Sequence, residues 1–522
     1  MSFLRAASLI AILSLLSKGV GLLRDMVFAY YCGLSIVTDA YNTAYMIPGS
    51  FALLMLGGLN GPFHSAVIST LTRPWEEGDQ ETYQTVLDTT LLFTALLMGA
   101  IACLLYFAAA PVIGLWKSLS PETAKLAILQ LQIMAPMFLL SGLIGISYGV
   151  LNIRKSFFTP SLSPIMASLT IILALVFFAG PRSSGLIQAQ ALAWGTLIGA
   201  VCQLLLQLIP LLRGFRPRRL RINFKHPLFH SLLHLLFPAM LSSTVGQVNL
   251  FVIYFFAGAA DKGISAFQLG NRLLQLPLGI LLTALLVPLL PLLSSVAQAN
   301  DGYVSLKEKL NQGLRPVLLI TLPVTLMLIF WGPFLIAFLF QKGNFTAEDT
   351  ALTHQALLFL SLSITTYAIR DLLIRVFYAL QDARIPFLTT FVSIVGMFVF
   401  SWLLAPRMGV GGVSLAASLS TGLNFLVLTL LLRRRIGPWF ERASWMHLGR
   451  VLLSCVPLGL GGLACLLYLP RLGSWQALGT FLSLGLLGAL YLGILMLLRD
   501  PEVGHVIALV TRRLRRRSTP AI

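Results

Sequence analysis

Stretches of about 20 predominantly apolar residues recur along nearly the whole chain of 522 residues, and a helix of that length spans the hydrocarbon core of a bilayer. Hydrophobic residues make up 57% of the chain and charged residues only 11%, which is too little polar surface for a soluble fold of this size. Because a helix satisfies its own backbone polar groups in lipid, the sequence predicts an all-α polytopic membrane protein. Polar and Pro/Gly-rich breaks divide it into about 14 transmembrane helices.

The lysines and arginines are distributed unevenly between the two sides of the predicted membrane protein. An even number of spans places both termini on one side, and roughly two thirds of the 37 Lys and Arg residues fall on that side. The densest clusters lie at 213–225, 433–435 and 512–517. The positive-inside rule therefore predicts cytoplasmic termini. The net charge of +19 indicates attraction to anionic membrane lipids and not a nucleic-acid partner.

An internal repeat relates the two halves of the chain. A single constant offset in sequence places Asn42 on Asn271, Pro48 on Pro277 and Leu151 on Leu380. We therefore expect two six-helix lobes with the same membrane orientation, a pattern of transporters that hold substrate between two halves. The predicted segments are an N-lobe at 1–213, a basic cytoplasmic linker at 214–230, a C-lobe at 231–435, two extra spans at 436–499 and a basic cytoplasmic tail at 500–522.

Charged residues inside the predicted spans are the leading candidates for a functional site. Lys18, Arg24 and Asp25 lie in the first span, Asp39 opens the second, and Arg272 lies in the eighth. A charge at the centre of a spanning helix costs ~2.5 to 3.5 kcal/mol, so such residues usually face a wet cavity or a partner. Guanidinium groups suit phosphate oxygens, which favours an anionic ligand. The alternative for Arg24 and Asp25 is an internal ion pair that neutralises both, or snorkelling of their side chains to the interface.

Enzymatic and metal chemistry find little support in the sequence. His230 and His234 are spaced i, i+4, which we interpret as an interfacial helix face, and no cysteine or histidine spacing predicts a metal site. Arg370 and Asp371 in the tenth span are interpreted as an internal pair. We therefore expect no catalytic residue, no metal and no cofactor; a membrane-embedded transferase acting on a lipid carrier is the less favoured alternative. A cationic-drug exporter would need cavity carboxylates, whereas basic residues dominate here.

Several short motifs are spread over the whole chain. These motifs are Arg24-Asp25, Thr38-Asp39-Ala40, Pro48, Gly61-Pro62-Phe63 before Ser65-Ala66, Asn271-Arg272-Leu273, Gln275-Leu276-Pro277-Leu278-Gly279, and Phe377-Tyr378-Ala379-Leu380-Gln381-Asp382 before Pro386. With them the chain resembles the MurJ (MviN) lipid II flippases of the multidrug/oligosaccharidyl-lipid/polysaccharide exporter superfamily. The segment Gly57-Gly58-Leu59-Asn60-Gly61-Pro62-Phe63-His64-Ser65-Ala66 resembles the cyanobacterial branch in particular.

The resemblance implies transport of undecaprenyl-diphosphate-linked peptidoglycan precursor, lipid II, from the inner to the outer leaflet of the bacterial inner membrane. It implies that Lys18, Arg24 and Arg272 bind the substrate and that Asp25 and Asp39 pair with charges or gate the cavity. By the same resemblance the two extra spans form a groove for the lipid tail. Cell-wall synthesis proteins are candidate partners, and a flippase for another polyprenyl-diphosphate-linked glycan is the alternative function.

The chain also departs from the family pattern. Family members often carry one or two arginines after the second-span proline and a glutamate before the glycine that matches Gly61. Here no Arg or Glu lies between Pro48 and Gly61, and Asn60 occupies the glutamate position. The predicted seventh, eleventh and twelfth spans contain no Asp or Glu, so a carboxylate sodium site there is not expected.

Overall fold

The computed structural model describes residues 3–58, 61–180, 182–212, 220–281, 285–286, 289–297 and 301–504, and every regular element in these ranges is a helix. The chain divides into two compact units, 1–265 with 340–346 and 266–339 with 347–522. Helices that begin in the first unit are α1 Phe3–Cys32, α2 Ile36–Tyr45, a π-helix Met46–Leu56, α3 Pro62–Glu76, α4 Gln80–Phe107, α5 Ala109–Ile113, α6 Pro121–Met134, α7 Met137–Ile153, α8 Phe158–Leu162, α9 Pro164–Phe178, α10 Gly185–Leu212, α11 Pro227–Ala257 and α12 Gly263–Leu281.

The second unit holds most of α12 and the remaining helices. These are α13 Leu289–Ala297, α14 Val304–Phe340, α15 Ala347–Ser361, α16 Ile364–Ala379, α17 Arg384–Ile436, α18 Arg442–Tyr468, a 3₁₀-helix Leu469–Trp475 and α19 Gln476–Leu497. The predicted lobe and tail boundaries stay predictions. The tail beyond residue 504 and part of the basic linker, 214–219, lie outside the described residues.

Many of the described helices are long and apolar enough to cross a bilayer. Seven qualify individually, and two further pairs, α6 with α7 and α15 with α16, qualify as bent spans. Helix α17 is 53 residues long and breaks at Gly409, where φ is 55°, so it contains more than one membrane length. These helices confirm the all-α polytopic fold, while the number of 14 spans stays a prediction.

The helix order confirms the internal repeat. Shifting the first half by the offset that places Asn42 on Asn271 puts α4 within α14, and α9 and α10 on the two parts of α17. The bent pair α6–α7 falls on the bent pair α15–α16, and the two pairs bend by 43° and 44°. The second half therefore reuses the helix pattern of the first.

Close packing between α7 and its neighbours forms part of the core of the first unit. Gly142, Gly145 and Gly149 lie on one face of α7 and are all buried. A Cβ at Gly145 would lie 2.7 Å from Cβ of Phe63, and one at Gly149 would lie 2.6 Å from Cγ1 of Val67. Small residues allow helix backbones to approach closely in a membrane, so these glycines set the distance between α7 and α3.

The described end of the basic linker lies against α4 in the first unit. The backbone N–H of Arg221 donates to Asp88 at 3.2 Å, and that of Asn223 donates to the Thr89 hydroxyl at 2.9 Å. The Arg221 guanidinium also contacts Glu81 at 2.8 Å. These bonds fix this part of the linker to the start of α4.

Helices α18 and α19 pack on α14 through polar contacts as well as apolar ones. The Trp331 indole donates to the Ser483 hydroxyl at 2.9 Å, and the Tyr491 hydroxyl donates to the Leu319 carbonyl at 2.7 Å. Both helices keep large exposed apolar side chains, among them Leu460, Leu467 and Leu486. Such surface suits lipid contact, and the groove for a lipid tail stays a prediction.

Candidate functional site

The first span holds the predicted charges Lys18, Arg24 and Asp25 on one continuous helix, α1. Arg24 donates from Nε and Nη2 to the same Asp25 oxygen, at 3.0 and 2.8 Å. The Arg24 side chain is 24% exposed and that of Asp25 is 10% exposed. The internal ion pair considered from the sequence is therefore formed. It uses two of the five N–H donors of the guanidinium, so pairing does not exhaust its capacity for a ligand.

Aromatic rings line the region around Arg24 in the first unit. Tyr41 and Tyr45 of α2 stack with ring centroids 5.5 Å apart, and Phe28 of α1, one turn after Arg24, lies 5.6 Å from Tyr41. Aromatic packing of this kind restricts the rings.

Lys18 lies on α1, six residues before Arg24. It is exposed and precedes Asp25 by seven residues, about 10 Å along a helix. The i, i+7 spacing puts Lys18 and Asp25 on one face. The amine is therefore accessible on the helix face that carries the ion pair.

Asp39 is buried at the start of the second span and binds the first turn of α12. Its carboxylate accepts from the backbone N–H of Ser265 at 2.8 Å and from the Ser265 hydroxyl. Asn42, one turn later on α2, donates to the same hydroxyl at 3.2 Å. A helix N-terminus carries partial positive charge, so Asp39 caps α12 from a different helix. Sequence reasoning expected a cation as its partner; these bonds are instead to amide and hydroxyl donors.

Arg272 lies on α12 in the second unit and is half-buried. It follows Gly263, the first residue of α12, by nine residues, about 13 Å along the helix axis. Its convergence with Lys18 and Arg24 on one ligand stays a prediction.

The second span carries no charged residue after its proline. Its middle is a π-helix from Met46 to Leu56, a rare conformation that is common at functional sites. Pro48 lies in its first turn, and no charged residue follows before Gly61. Asn60 lies outside the described residues. Any in-span cation of this chain that contacts an anionic ligand must therefore come from another segment.

A second group of in-span charges lies on α16, and the sequence interpretation of it was wrong in one respect. Asp371 does not pair with Arg370; it accepts from Nε and Nη2 of Arg375, both at 3.2 Å. Arg370 lies over the ring of Tyr367 at 4.2 Å from its centroid. The i, i+4 spacing of Asp371 and Arg375 was a signal for the observed pair.

No cluster of three potential metal ligands occurs in the part of the chain that the structure describes. His230 and His234 are both exposed on α11, consistent with an interfacial helix face. His447 is buried, with Nδ1 at 2.8 Å from Asp500 and Nε2 at 2.9 Å from the Arg315 carbonyl. Because this histidine holds α18 to α14 and to the turn that follows α19, we assign it a structural role.

Solved structures define the class of protein. A lipid II flippase MurJ in an inward closed conformation matches with a TM-score of 0.74 at 25% identity, covering 94% of this chain and 99% of that one. An inward-facing multidrug resistance MATE family transporter of the MOP superfamily has a TM-score of 0.66 at 16% identity, covering 82% and 98%, which shows the fold alone. The chain is a multi-span helical transporter.

Sequence comparison then gives the family. A family model described as lipid II flippase MurJ matches residues 28–483. A probable lipid II flippase MurJ of Synechocystis is 36% identical over 86% of this chain and 85% of that protein, and a lipid II flippase MurJ of Burkholderia cenocepacia is 29% identical over 86% and 87%. The chain belongs to the lipid II flippase MurJ family.

Proposed function

We propose that this chain is a lipid II flippase of the bacterial inner membrane. It moves undecaprenyl-diphosphate-linked peptidoglycan precursor from the inner to the outer leaflet by alternating access, with both termini in the cytoplasm. Family membership over residues 28–483 is the observation that carries this proposal. The in-span cations support it, because moving the dense negative charge of a polyprenyl diphosphate past apolar helices alone is costly and cations lower that cost.

Lys18, Arg24 and Arg272 bind the diphosphate in this proposal. Arginine offers a fork of donors that matches phosphate oxygens, and lysine adds a point charge. Asp25 orients the Arg24 guanidinium through its two bonds to one carboxylate oxygen. Since no cation lies between Pro48 and Gly61, these three residues act without the second-span arginine of many relatives.

Asp39 gates the transport cycle in this proposal. Its bonds to the backbone and hydroxyl of Ser265 hold the second span to the first turn of α12. Hydrogen bonds to a carboxylate contribute about 1.5 to 3 kcal/mol each, enough to bias one state over another while remaining breakable. Asp39 therefore forms these bonds in one state and releases them in the next.

The energy for transport comes from the membrane potential or an ion gradient. The sequence contains no G-x-x-x-x-G-K-[ST] nucleotide-binding motif. A potential of 100 mV supplies about 2.3 kcal/mol for each charge moved. Cell-wall synthesis proteins that use the flipped precursor are the proposed partners.

Complementation of a flippase-depleted bacterium tests the proposal. We expect the wild-type chain to restore growth, and Arg24→Ala or Arg272→Ala to abolish it at normal expression, because each loses a diphosphate contact. The matched control is Arg73→Ala, which removes an exposed arginine of α3 and should complement fully. Growth with both the Arg24→Ala and the Arg272→Ala variants would show that the cationic mechanism is wrong.

A flippase for another polyprenyl-diphosphate glycan is the second candidate, because every such substrate shares the diphosphate. Purified chain titrated with lipid II and with an O-antigen precursor separates the two. Tighter binding of lipid II is expected, and a preference for the O-antigen precursor would reject the proposed substrate.

A further inference from the structure

Six residues of α16 form a largely polar stripe along an otherwise apolar span. They are spaced at the i, i+3, i+4, i+7, i+8 and i+11 positions of one helix face, and we name them the α16 stripe: Tyr367, Arg370, Asp371, Ile374, Arg375 and Tyr378. All six are partly or fully exposed, whereas the opposite face of α16 is buried. Arginine and aspartate are too costly to face lipid, so the stripe lines an aqueous space.

Arg370 carries the net positive charge of this stripe. Asp371 is neutralised by Arg375, which donates to it from two nitrogens. In the part of the chain that the structure describes, Arg370 has no ion-pair partner, and its Nε is buried with no hydrogen-bond acceptor. A guanidinium stays protonated in proteins, so Arg370 remains a cation with unused donors.

The direction of the Arg370 side chain argues against simple snorkelling to the membrane surface. Its guanidinium lies over Tyr367, one turn nearer to the start of α16. With the topology of the positive-inside rule, the end of α16 at Ala379 faces the cytoplasm. The guanidinium thus points away from the nearer interface, where snorkelling would take it. The Tyr367 ring holds it there through a cation–π contact.

The equivalent position in the first half carries no charge. The repeat offset places Arg370 on Ser141, which is fully buried and donates to the Phe138 carbonyl of its own helix at 2.7 Å. Folding of this helix pattern therefore does not require a cation at the position. The arginine has a role that the first half does not share.

We propose that Arg370, oriented by Tyr367, is an anion-binding residue for the diphosphate of the carrier lipid in the cytoplasmic half of the span. This inference rests on the proposed function. The phosphate of an ordinary anionic phospholipid shares this chemistry and is separated by the experiment.

Binding of farnesyl diphosphate to the full-length chain in detergent tests the proposal, with phosphatidylglycerol as the competing phosphate source. Arg370→Gln should weaken farnesyl diphosphate binding roughly tenfold, the loss expected for one charge-assisted contact. Its effect on phosphatidylglycerol binding should stay within about twofold. Arg370→Lys should fall between the wild type and Arg370→Gln, because it keeps the charge and loses the fork.

The matched control is the double variant Asp371→Asn with Arg375→Gln. It removes the neighbouring ion pair without changing the net charge and should bind farnesyl diphosphate like the wild type. A loss in the double variant as large as that in Arg370→Gln would overturn the role of Arg370. Equal weakening of phosphatidylglycerol would overturn the assignment to the diphosphate.

Failure of this inference is distinguishable from failure of the proposed function. If the wild type binds farnesyl diphosphate and supports growth, and a monodisperse Arg370→Gln protein does both equally well, only the Arg370 contact is wrong. If the wild type neither binds the diphosphate nor supports growth, both the proposed function and the Arg370 contact are wrong.

Discussion

Helices α7 and α16 occupy equivalent places in the two halves, yet their corresponding faces have opposite characters. On α7 this face is Gly142, Gly145 and Gly149, all buried. The repeat offset places these glycines on Asp371, Ile374 and Tyr378 of the α16 stripe. One copy uses the face for close helix packing and the other exposes polar groups. A duplicated fold can therefore keep its helix pattern while one copy exposes polar side chains on a face that the other copy uses for packing.

At the first helix of each half the charges lie in the first half and the apolar residues in the second. Arg24 and Asp25 form an ion pair on α1, whereas their offset partners Ile253 and Tyr254 on α11 are buried. At these in-span positions charge is thus placed in one copy and not in both. Because a charge in a span is costly and the other copy folds without it, the shared architecture does not require these cations.

The largest expected effect is a loss of stability when a side-chain carbon is added at the close helix contact of the first half. The backbone carbonyl of Ser141 occupies the space that a Cβ at Gly57 would need, and a backbone cannot rotate aside as a side chain can. We expect Gly57→Ala to cost about 3 kcal/mol, measured as a lower Tm of the purified protein. Gly99→Ala, where no atom lies within 4 Å, is the control and should leave Tm unchanged. Equal Tm values for both variants would show that close packing does not distinguish the first half.

A smaller effect is expected at the ion pair of α1. Arg24→Gln leaves the buried Asp25 carboxylate without its guanidinium, and we expect a cost of about 2 kcal/mol, reduced from the fully buried case because the Arg24 side chain is 24% exposed. The double variant Arg24→Gln with Asp25→Asn keeps the net charge of the pair and should still fail to support growth in the complementation assay. Recovery of growth would assign Arg24 a structural role and remove it from the diphosphate site.

Much of the fold and part of the candidate site could be predicted from the sequence, and the exceptions have physical causes. Apolar runs and the constant offset between the halves predicted the helical bundle and its repeat, since spanning length and hydropathy are local properties. The charges of the first span were identified because lysine, arginine and aspartate are rare in spans. The partner of Asp39 was not predicted, because helix capping by a carboxylate from another helix leaves no sequence spacing. The Asp371 partner was misassigned to its neighbour Arg370, although the i, i+4 spacing of Asp371 and Arg375 favours the observed pair.

The smallest effect is expected from the charge pairs at i, i+4, which occur in both halves in different surroundings. On α3, Arg73 bonds to Glu77 at 2.7 Å with side chains 84% and 57% exposed, so Arg73→Gln should not change Tm measurably. On α16, Asp371 and Arg375 are only 26% and 22% exposed, and Asp371→Asn leaves Arg375 unpaired within a span. We expect roughly 1 kcal/mol of destabilisation there, seen as a lower Tm. Because the sequence spacing is the same, a difference between the two variants measures what the lower exposure of the α16 pair adds. Equal Tm values would mean that water screens the α16 pair as completely as the surface pair.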